Sequence, residues 1–179
     1  MSKRAHMGIF GPGLSGKSTC AECIVKVSYE QNGIRALVLD QAQTSSWGPG
    51  SVVYTEVEPF LKAVWASENC LVVIEEATSA LADFSPQELV SLFTRVRHRG
   101  HKLIIIAHRA TALLPILREQ LSHLFLFRQA DPAAKFWMEC HAEPRLIEST
   151  RLNKYEFLEF RAFGAADGSH FVRKGKLKL

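Results

Sequence analysis

Eight consecutive residues restrict this chain more than anything else in it: Gly11-Pro12-Gly13-Leu14-Ser15-Gly16-Lys17-Ser18 satisfies the pattern G-x-x-x-x-G-K-S at every required position. The pattern has a physical cause. Glycines let successive backbone N–H groups turn inward around an anion, where a side chain would collide or forbid the dihedrals. Lys17 brings a full positive charge to the β- and γ-phosphates of a nucleoside triphosphate. Ser18 offers a hydroxyl to Mg²⁺, and the helix that starts behind the loop adds the partial positive charge of its N-terminus. Gly11, Pro12, Gly13, Leu14, Ser15, Gly16, Lys17, Ser18 and Thr19 are therefore the expected phosphate-binding residues. The flanks fit: a short apolar run, Met7–Phe10, precedes the loop, and a helical pattern runs from Gly16 to about Gln31, closed by Asn32-Gly33.

The rest of the chain alternates short apolar runs with helical patterns, which predicts an α/β fold: a mostly parallel sheet with helices on both faces, in three layers. The expected strands after the first are Ala36–Leu39, Leu71–Ile74, Leu103–Ala107 and Leu124–Phe127. Gln41 to Ser51 is rich in Ser, Gly and Pro and reads as a surface loop. Thr55-x-x-Glu58 and Ser85-Pro86-Gln87-Glu88 read as capping boxes. Asp131-Pro132 is expected to cap a later helix. Tyr155–Phe163 and His170–Arg173 flank Gly164–Gly168 as a hairpin.

A chain of 179 residues with 47% hydrophobic and 22% charged residues is expected to be one soluble globular domain. No apolar run approaches the roughly 20 residues of a membrane span, and the opening Met1–His6 does not read as a secretory signal. Cys20, Cys23, Cys70 and Cys140 offer no second ligand pair for zinc, so they are expected as reduced thiols in a cytoplasmic setting. The charge is unevenly placed. Residues 1–144 hold 14 Lys/Arg and 14 Asp/Glu, while residues 145–179 hold 8 and 4. This divides the chain into an expected core, 1–144, and a basic extension, 145–179, packed on or beside it. The extension ends in Arg173-Lys174-Gly175-Lys176-Leu177-Lys178-Leu179, a composition suited to nucleic acid or to acidic partners.

Two further places carry chemistry. Leu71-Val72-Val73-Ile74 runs straight into Glu75 and Glu76, an apolar strand ending in two acids. It reads as a Walker B segment, with Glu75 holding Mg²⁺ together with Ser18 and Glu76 activating the attacking water. His108 follows the Leu103–Ala107 strand, where a polar side chain can reach the γ-phosphate or that water. Arg95, Arg97, Arg99 and Arg109 form a cluster from which one arginine could stabilise phosphoryl charge in a neighbouring subunit; Arg97 is the expected one.

A strand inserted between the phosphate loop and the Walker B strand, with a glutamate after the first acid, resembles the additional-strand catalytic-glutamate class of P-loop ATPases. That class implies the sheet order 5-1-4-3-2. Within it, Arg97, Gly100, the strand up to Ala107, His108 and Arg109 resemble the FtsK–HerA superfamily, in which an Arg three positions before a Gly precedes a strand ending T-Q-R-P. Here His108 stands for the Gln and Ala110 for the Pro. Leu121–Arg128 is similar to that superfamily's fifth strand, and the chain's size is similar to its viral genome-packaging branch. The resemblance spans about residues 6–130. It implies ATP and Mg²⁺ as cofactors, a homo-oligomeric ring (pentamer or hexamer), double-stranded DNA as substrate, a portal or capsid-vertex protein as partner, and a place in the host cytoplasm or the virion. It assigns catalysis to Glu76, Lys17, His108 and, across an interface, Arg97. Glu76–Leu81 and Ile106–Arg109 also resemble the D-loop and switch-histidine regions of ABC transporter ATPases, but no L-S-G-G-Q signature or helical insert is present. Remaining alternatives are a secretion or virion-assembly ATPase acting on protein or single-stranded DNA, a small-molecule kinase, and a nucleotide-gated switch without turnover.

Overall fold

The computed structural model describes residues 5–43 and 45–178; Met1–Arg4, Leu179 and Thr44, the last within the expected 41–51 loop, lie outside the described residues. The strands are β1 His6–Phe10, β2 Ala36–Leu39, β3 Ser51–Tyr54, β4 Leu71–Ile74, β5 Lys102–Ala107, β6 Leu121–Phe127, β7 Glu156–Arg161 and β8 Phe171–Lys176. They form one sheet in the order β3-β2-β4-β5-β1-β6-β7-β8. Strands β1 to β6 pair in parallel, and β7 and β8 add an antiparallel hairpin to β6. The helices are α1 Lys17–Asn32, α2 Val57–Ala66, α3 Ala77–Ala80, α4 Pro86–Arg95, α5 Pro115–Glu119 and α6 Asp131–His141.

The central strands are apolar along their whole length because both faces are covered. Ile104 and Ile106 of β5 turn to α1, packing with Cys20, Ala21 and Val25. Leu103 and Ile105 turn to the other side, with Phe93 of α4 and Trp137 of α6. The five core strands expected from the sequence stand in the expected relative order, β6-β1-β5-β4-β2; the expected hairpin, β7 and β8, and one further strand, β3, lengthen the sheet. One of these, β3, carries no clear sequence signal, since Val52 and Val53 on this edge strand are 48% and 45% exposed rather than alternating between core and solvent. The Ser85–Glu88 capping box forms, with Ser85 N–H donating to Glu88 Oε2 at 2.7 Å and Glu88 N–H to Ser85 Oγ at 3.3 Å. The one at Thr55 does not. The chain is only just leaving β3 there, and α2 starts at Val57 with Glu56 at its N-cap and no side-chain cap. Asp131 likewise caps nothing. It is the first residue of α6, where its charge faces the positive end of the helix.

The basic residues near the end of the chain are folded rather than trailing in solvent. Arg173 and Lys174 lie in β8, where Arg173 pairs with Glu159, and Lys174 Nζ lies 2.8 Å from Glu156.

Two buried histidines tie the layers together in the same way. His6 Nδ1 accepts from Leu103 N–H at 3.2 Å while Nε2 donates to Phe93 C=O at 3.1 Å. His101 Nδ1 accepts from Cys70 N–H at 3.0 Å while Nε2 donates to Val64 C=O at 3.0 Å. A second proton would destroy each acceptor. Burial, reinforced by the Arg97 charge, holds His6 down at about 4 against an ordinary 6.5. The unfolded chain therefore takes up the proton first, so stability is intact above about pH 6.5 and falls as pH drops toward 4. The expected loss at pH 4 from His6 alone is on the order of 3 kcal/mol. At Glu159 burial opposes ionisation, but hydrogen bonds from His123, Arg161 and Arg173 outweigh it and hold the carboxyl at about 2. Its contribution is lost lower, from about pH 4.5 downward. Thermal melts should thus show a declining midpoint beginning just below pH 6.5. A midpoint that stays flat from pH 7 to 4.5 would contradict the assignment.

Candidate active site

The phosphate loop joins the end of β1 to the start of α1. Because β1 is flanked by β5 and β6, the loop opens where the carboxyl ends of the parallel strands converge. Gly16, the N-cap of α1, has φ 104°, and a Cβ there would lie 2.8 Å from Leu177 Cδ1 and 3.0 Å from Tyr155 Cδ1, so glycine is required by both backbone and packing. A Cβ on Gly13 would meet nothing within 4 Å, so any demand for glycine there comes from what approaches the loop. Leu14 stands at the tip, 87% exposed.

Lys17 is buried and its Nζ donates to Pro12 C=O at 3.0 Å, which holds the ammonium inside the curve of the loop. Burial lowers its pKa, and the carboxylates of Glu76 and Glu75 oppose that shift. Ser18 Oγ donates to Glu75 Oε1 at 2.9 Å, across 57 positions of sequence. The two expected Mg²⁺ residues are therefore in contact, and the extra methylene of a glutamate, where an aspartate is usual, is what spans that gap. Burial pushes the Glu75 carboxyl up to about 7. Among the described residues its buried Oε2 has no hydrogen-bond partner, and neither does Ser15 Oγ in the loop. A buried carboxylate oxygen with no donor beside a serine hydroxyl is the donor set a hard divalent cation takes, so the residues present fit Mg²⁺. Among the described residues no cluster of three or more His, Cys, Asp or Glu suits another metal.

Glu76 is in a different environment from its neighbour. It adopts φ 47°, a left-handed conformation that costs a non-glycine residue about 1 kcal/mol or more. This turn ends β4 and starts α3, and it directs the Glu76 side chain outward. Glu76 Oε1 lies 3.1 Å from His108 Nε2, which comes from the end of β5. The structure thus brings Lys17, Ser18, Glu75, Glu76 and His108 to one mouth. His108 and the loop residues Gly11–Gly13 also border an adjoining cleft of about 660 Å³, lined further by Arg109, Arg128, Gln129 and Asp131 among others.

Arg97 is not at this mouth. It lies in a 3-10 turn, Val96–Arg99, before β5, at the opposite end of that strand from His108. The separation is about 20 Å at about 3.3 Å per strand residue. Its guanidinium donates to Thr94 C=O at 3.2 Å and to Gln120 Oε1. Two further residues stand at the mouth: Arg128, the end of the Leu121–Arg128 segment and a reserve candidate to Arg97, and Gln129, which the sequence did not single out. Gln129 Nε2 donates to Phe10 C=O at 3.1 Å and to Phe127 C=O at 2.8 Å, fixing the end of β1 to the end of β6. Arg128, beside it, projects exposed into the cleft. The only sequence cue to Gln129 was its position just after an apolar strand. Cys20 is buried and Cys23 exposed, both as free thiols.

Fold and loop together define an α/β P-loop NTPase fold. Compared by sequence with known protein families and with curated proteins, the chain matches none. Solved structures are similar to it. The genome packaging NTPase B204 from Sulfolobus turreted icosahedral virus 2 in complex with sulfate has a TM-score of 0.76 at 19% identity, over 100% of both chains. VirB4 of Thermoanaerobacter pseudethanolicus has a TM-score of 0.71 at 11% identity, over 97% of this chain and 89% of that one. The cytoplasmic domain of the Thermomonospora curvata Type VII secretion ATPase EccC gives 0.65 at 14%, over 98% of this chain and 24% of that one. The chain has the fold of packaging- and secretion-type P-loop ATPases. No helix among the described residues is long and apolar enough to cross a membrane.

Proposed function

We propose that this chain is an ATP-driven motor that moves double-stranded DNA, packaging a viral genome into a capsid, with ATP hydrolysed at the subunit interfaces of a ring. The observation that carries this reading is the pairing at the loop mouth: Ser18 with Glu75 on one side, and Glu76 with His108 on the other. The backbone of Gly11–Thr19 would wrap the phosphates, and Lys17 would neutralise the β- and γ-oxygens. Ser18 and Glu75 would hold Mg²⁺, whose chemistry when bound is to offset charge on those oxygens. Glu76 is the general base: its exposed carboxylate accepts the proton of a water lined up with the γ-phosphorus. His108 orients that carboxylate from β5 and is placed to register loss of the γ-phosphate. Arg97, remote in its own subunit, would serve the site of the next one.

The likeness to B204, solved with AMPPCP and with ATP-gammaS, supports the nucleotide and the packaging role. A portal or capsid-vertex protein would be the docking partner, in host cytoplasm or virion. The likeness to VirB4 and EccC favours a second reading, a secretion ATPase. ATP turnover with and without duplex DNA separates the two. The packaging reading expects the rate to rise with duplex and to fall back as salt is raised, because phosphate contacts are salt dependent. Turnover indifferent to duplex at low salt would remove DNA from the account and leave the secretion reading.

A further inference from the structure

Of the eight Lys and Arg after residue 144, Arg161, Arg173, Lys174 and Lys176 lie in β7 and β8. Side chains alternate across a strand. Ile104, Phe125 and Phe157 face α1, so Lys102, His123, Glu159 and Arg161 lie on that same side. Strand register then adds Phe171 opposite Arg161 and Arg173 opposite Glu159. Helix α1 packs over β1 and β5. The hairpin's face on this side stays open enough that the Arg173 side chain is 61% exposed.

The groups on this face do not cancel. Glu159, the carboxylate at its centre, is fully engaged by His123 at 3.0 Å, by Arg161 and by Arg173. That leaves an excess of positive charge around it. Lys102 is half-buried and makes no ion pair among the described residues. It lines a cavity of about 200 Å³ with Ser122, His123, Arg161, Phe163 and Gly164. The guanidinium carbons of Arg161 and Arg173 lie over the Phe171 ring at 5.3 and 5.8 Å, within cation–π range. Phe163, at the rim of the cavity, is 80% exposed at φ 57°. A large aromatic ring held out into solvent beside an uncompensated cation is the composition of a nucleic-acid track, in which cations follow phosphates and rings stack on bases.

We propose that this face, from the Lys102 cavity across Arg161 and Arg173 to Phe163, binds the sugar-phosphate backbone of a DNA strand. The inference rests on the reading of the chain as a DNA motor and says where the DNA lies: on the α1 face of the sheet at the amino ends of β5 and β6, the opposite end of the strands from the phosphate loop. One phosphate enters the cavity at Lys102, and Phe163 stacks on an unpaired base or covers a sugar.

The test uses the full chain and labelled oligonucleotides, one duplex and its separated strand, with affinity read by fluorescence anisotropy over a salt series. Lys102→Gln keeps the aliphatic stem and removes the charge. It should weaken binding to both probes and flatten the slope of log affinity against log salt by about 0.9 for the duplex, the value of one phosphate contact. Phe163→Ala should weaken the single strand on the order of tenfold and leave the salt slope unchanged. Neither residue belongs to the nucleotide site, so ATP turnover without DNA should match wild type in both. Unchanged affinity and slope in both variants would overturn the inference while leaving the motor reading intact. A change in oligomeric state with DNA affinity unaltered would also overturn it, by making this face a contact between copies. Wild-type protein that hydrolyses ATP but binds neither probe would sink the DNA-motor reading itself.

Discussion

Glu76→Gln is expected to bind ATP as the wild-type chain does and to hydrolyse it about 10²–10⁴-fold more slowly, the range for loss of a general base. Binding survives because the groups that hold the phosphates, Lys17 and the loop backbone, do not touch Glu76. Turnover fails because an amide oxygen cannot accept the water's proton as a carboxylate can. The two acids at the end of β4 are divided by environment: Glu75 is 4% exposed and bonded to Ser18, whereas Glu76 is turned out of the strand onto His108. Only the second can meet a water without breaking the bond to Ser18. Single-turnover hydrolysis measures the difference. Unchanged turnover would transfer the base to Glu75.

Arg97→Ala is expected to bind ATP normally and to lose about 10³–10⁵ in rate, the value of an arginine supplied across an interface in comparable NTPases. Arg97 is a β-strand's length from the loop, steadied by Gln120, so under the proposed ring its effect on hydrolysis would pass to a neighbouring copy. Mixing Arg97→Ala with Glu76→Gln gives a sharper result than either alone. A mixed interface can pair an intact Glu76 with an intact Arg97, and activity should reappear in the mixture. If the two variants assemble together and no ratio restores turnover, Arg97 does not act in trans. Arg109 and Arg128, already at the loop mouth, then take its place as the source of positive charge.

What could be read in the sequence was whatever depends on local pattern. The phosphate loop needs its residues at fixed spacing, buried parallel strands need unbroken apolar runs, and a Gly-rich turn marks a hairpin, so the loop, five parallel strands and the β7–β8 hairpin were legible. Strand β3 was not, because an edge strand with Val52 and Val53 both half in solvent leaves no period-two signature. The false capping box at Thr55 shows the converse: the residue pattern was present, but the preceding strand fixed the chain direction. Within the candidate site Ser18, Glu75, Glu76 and His108 could be named from the sequence, and Ser18 with Glu75 as a pair, but the contact between Glu76 and His108 could not. The Glu76–His108 contact exists because β4 and β5 are hydrogen-bonded with Ile74 opposite Ile105, a register that no local pattern encodes. Gln129 escaped for the same reason, since its partners are the carbonyls at the ends of two strands brought together only by the fold.

The account stands on triphosphate binding by the loop, and the most direct test of that is calorimetric titration of the wild-type chain and Lys17→Ala with ATP and Mg²⁺. Lys17 carries the only full positive charge within the loop, and its ammonium is already held there at 3.0 Å from Pro12 C=O. The wild-type chain should bind with a measurable heat, and the variant should show none. ATP binding by Lys17→Ala as tight as by wild type would contradict the central claim.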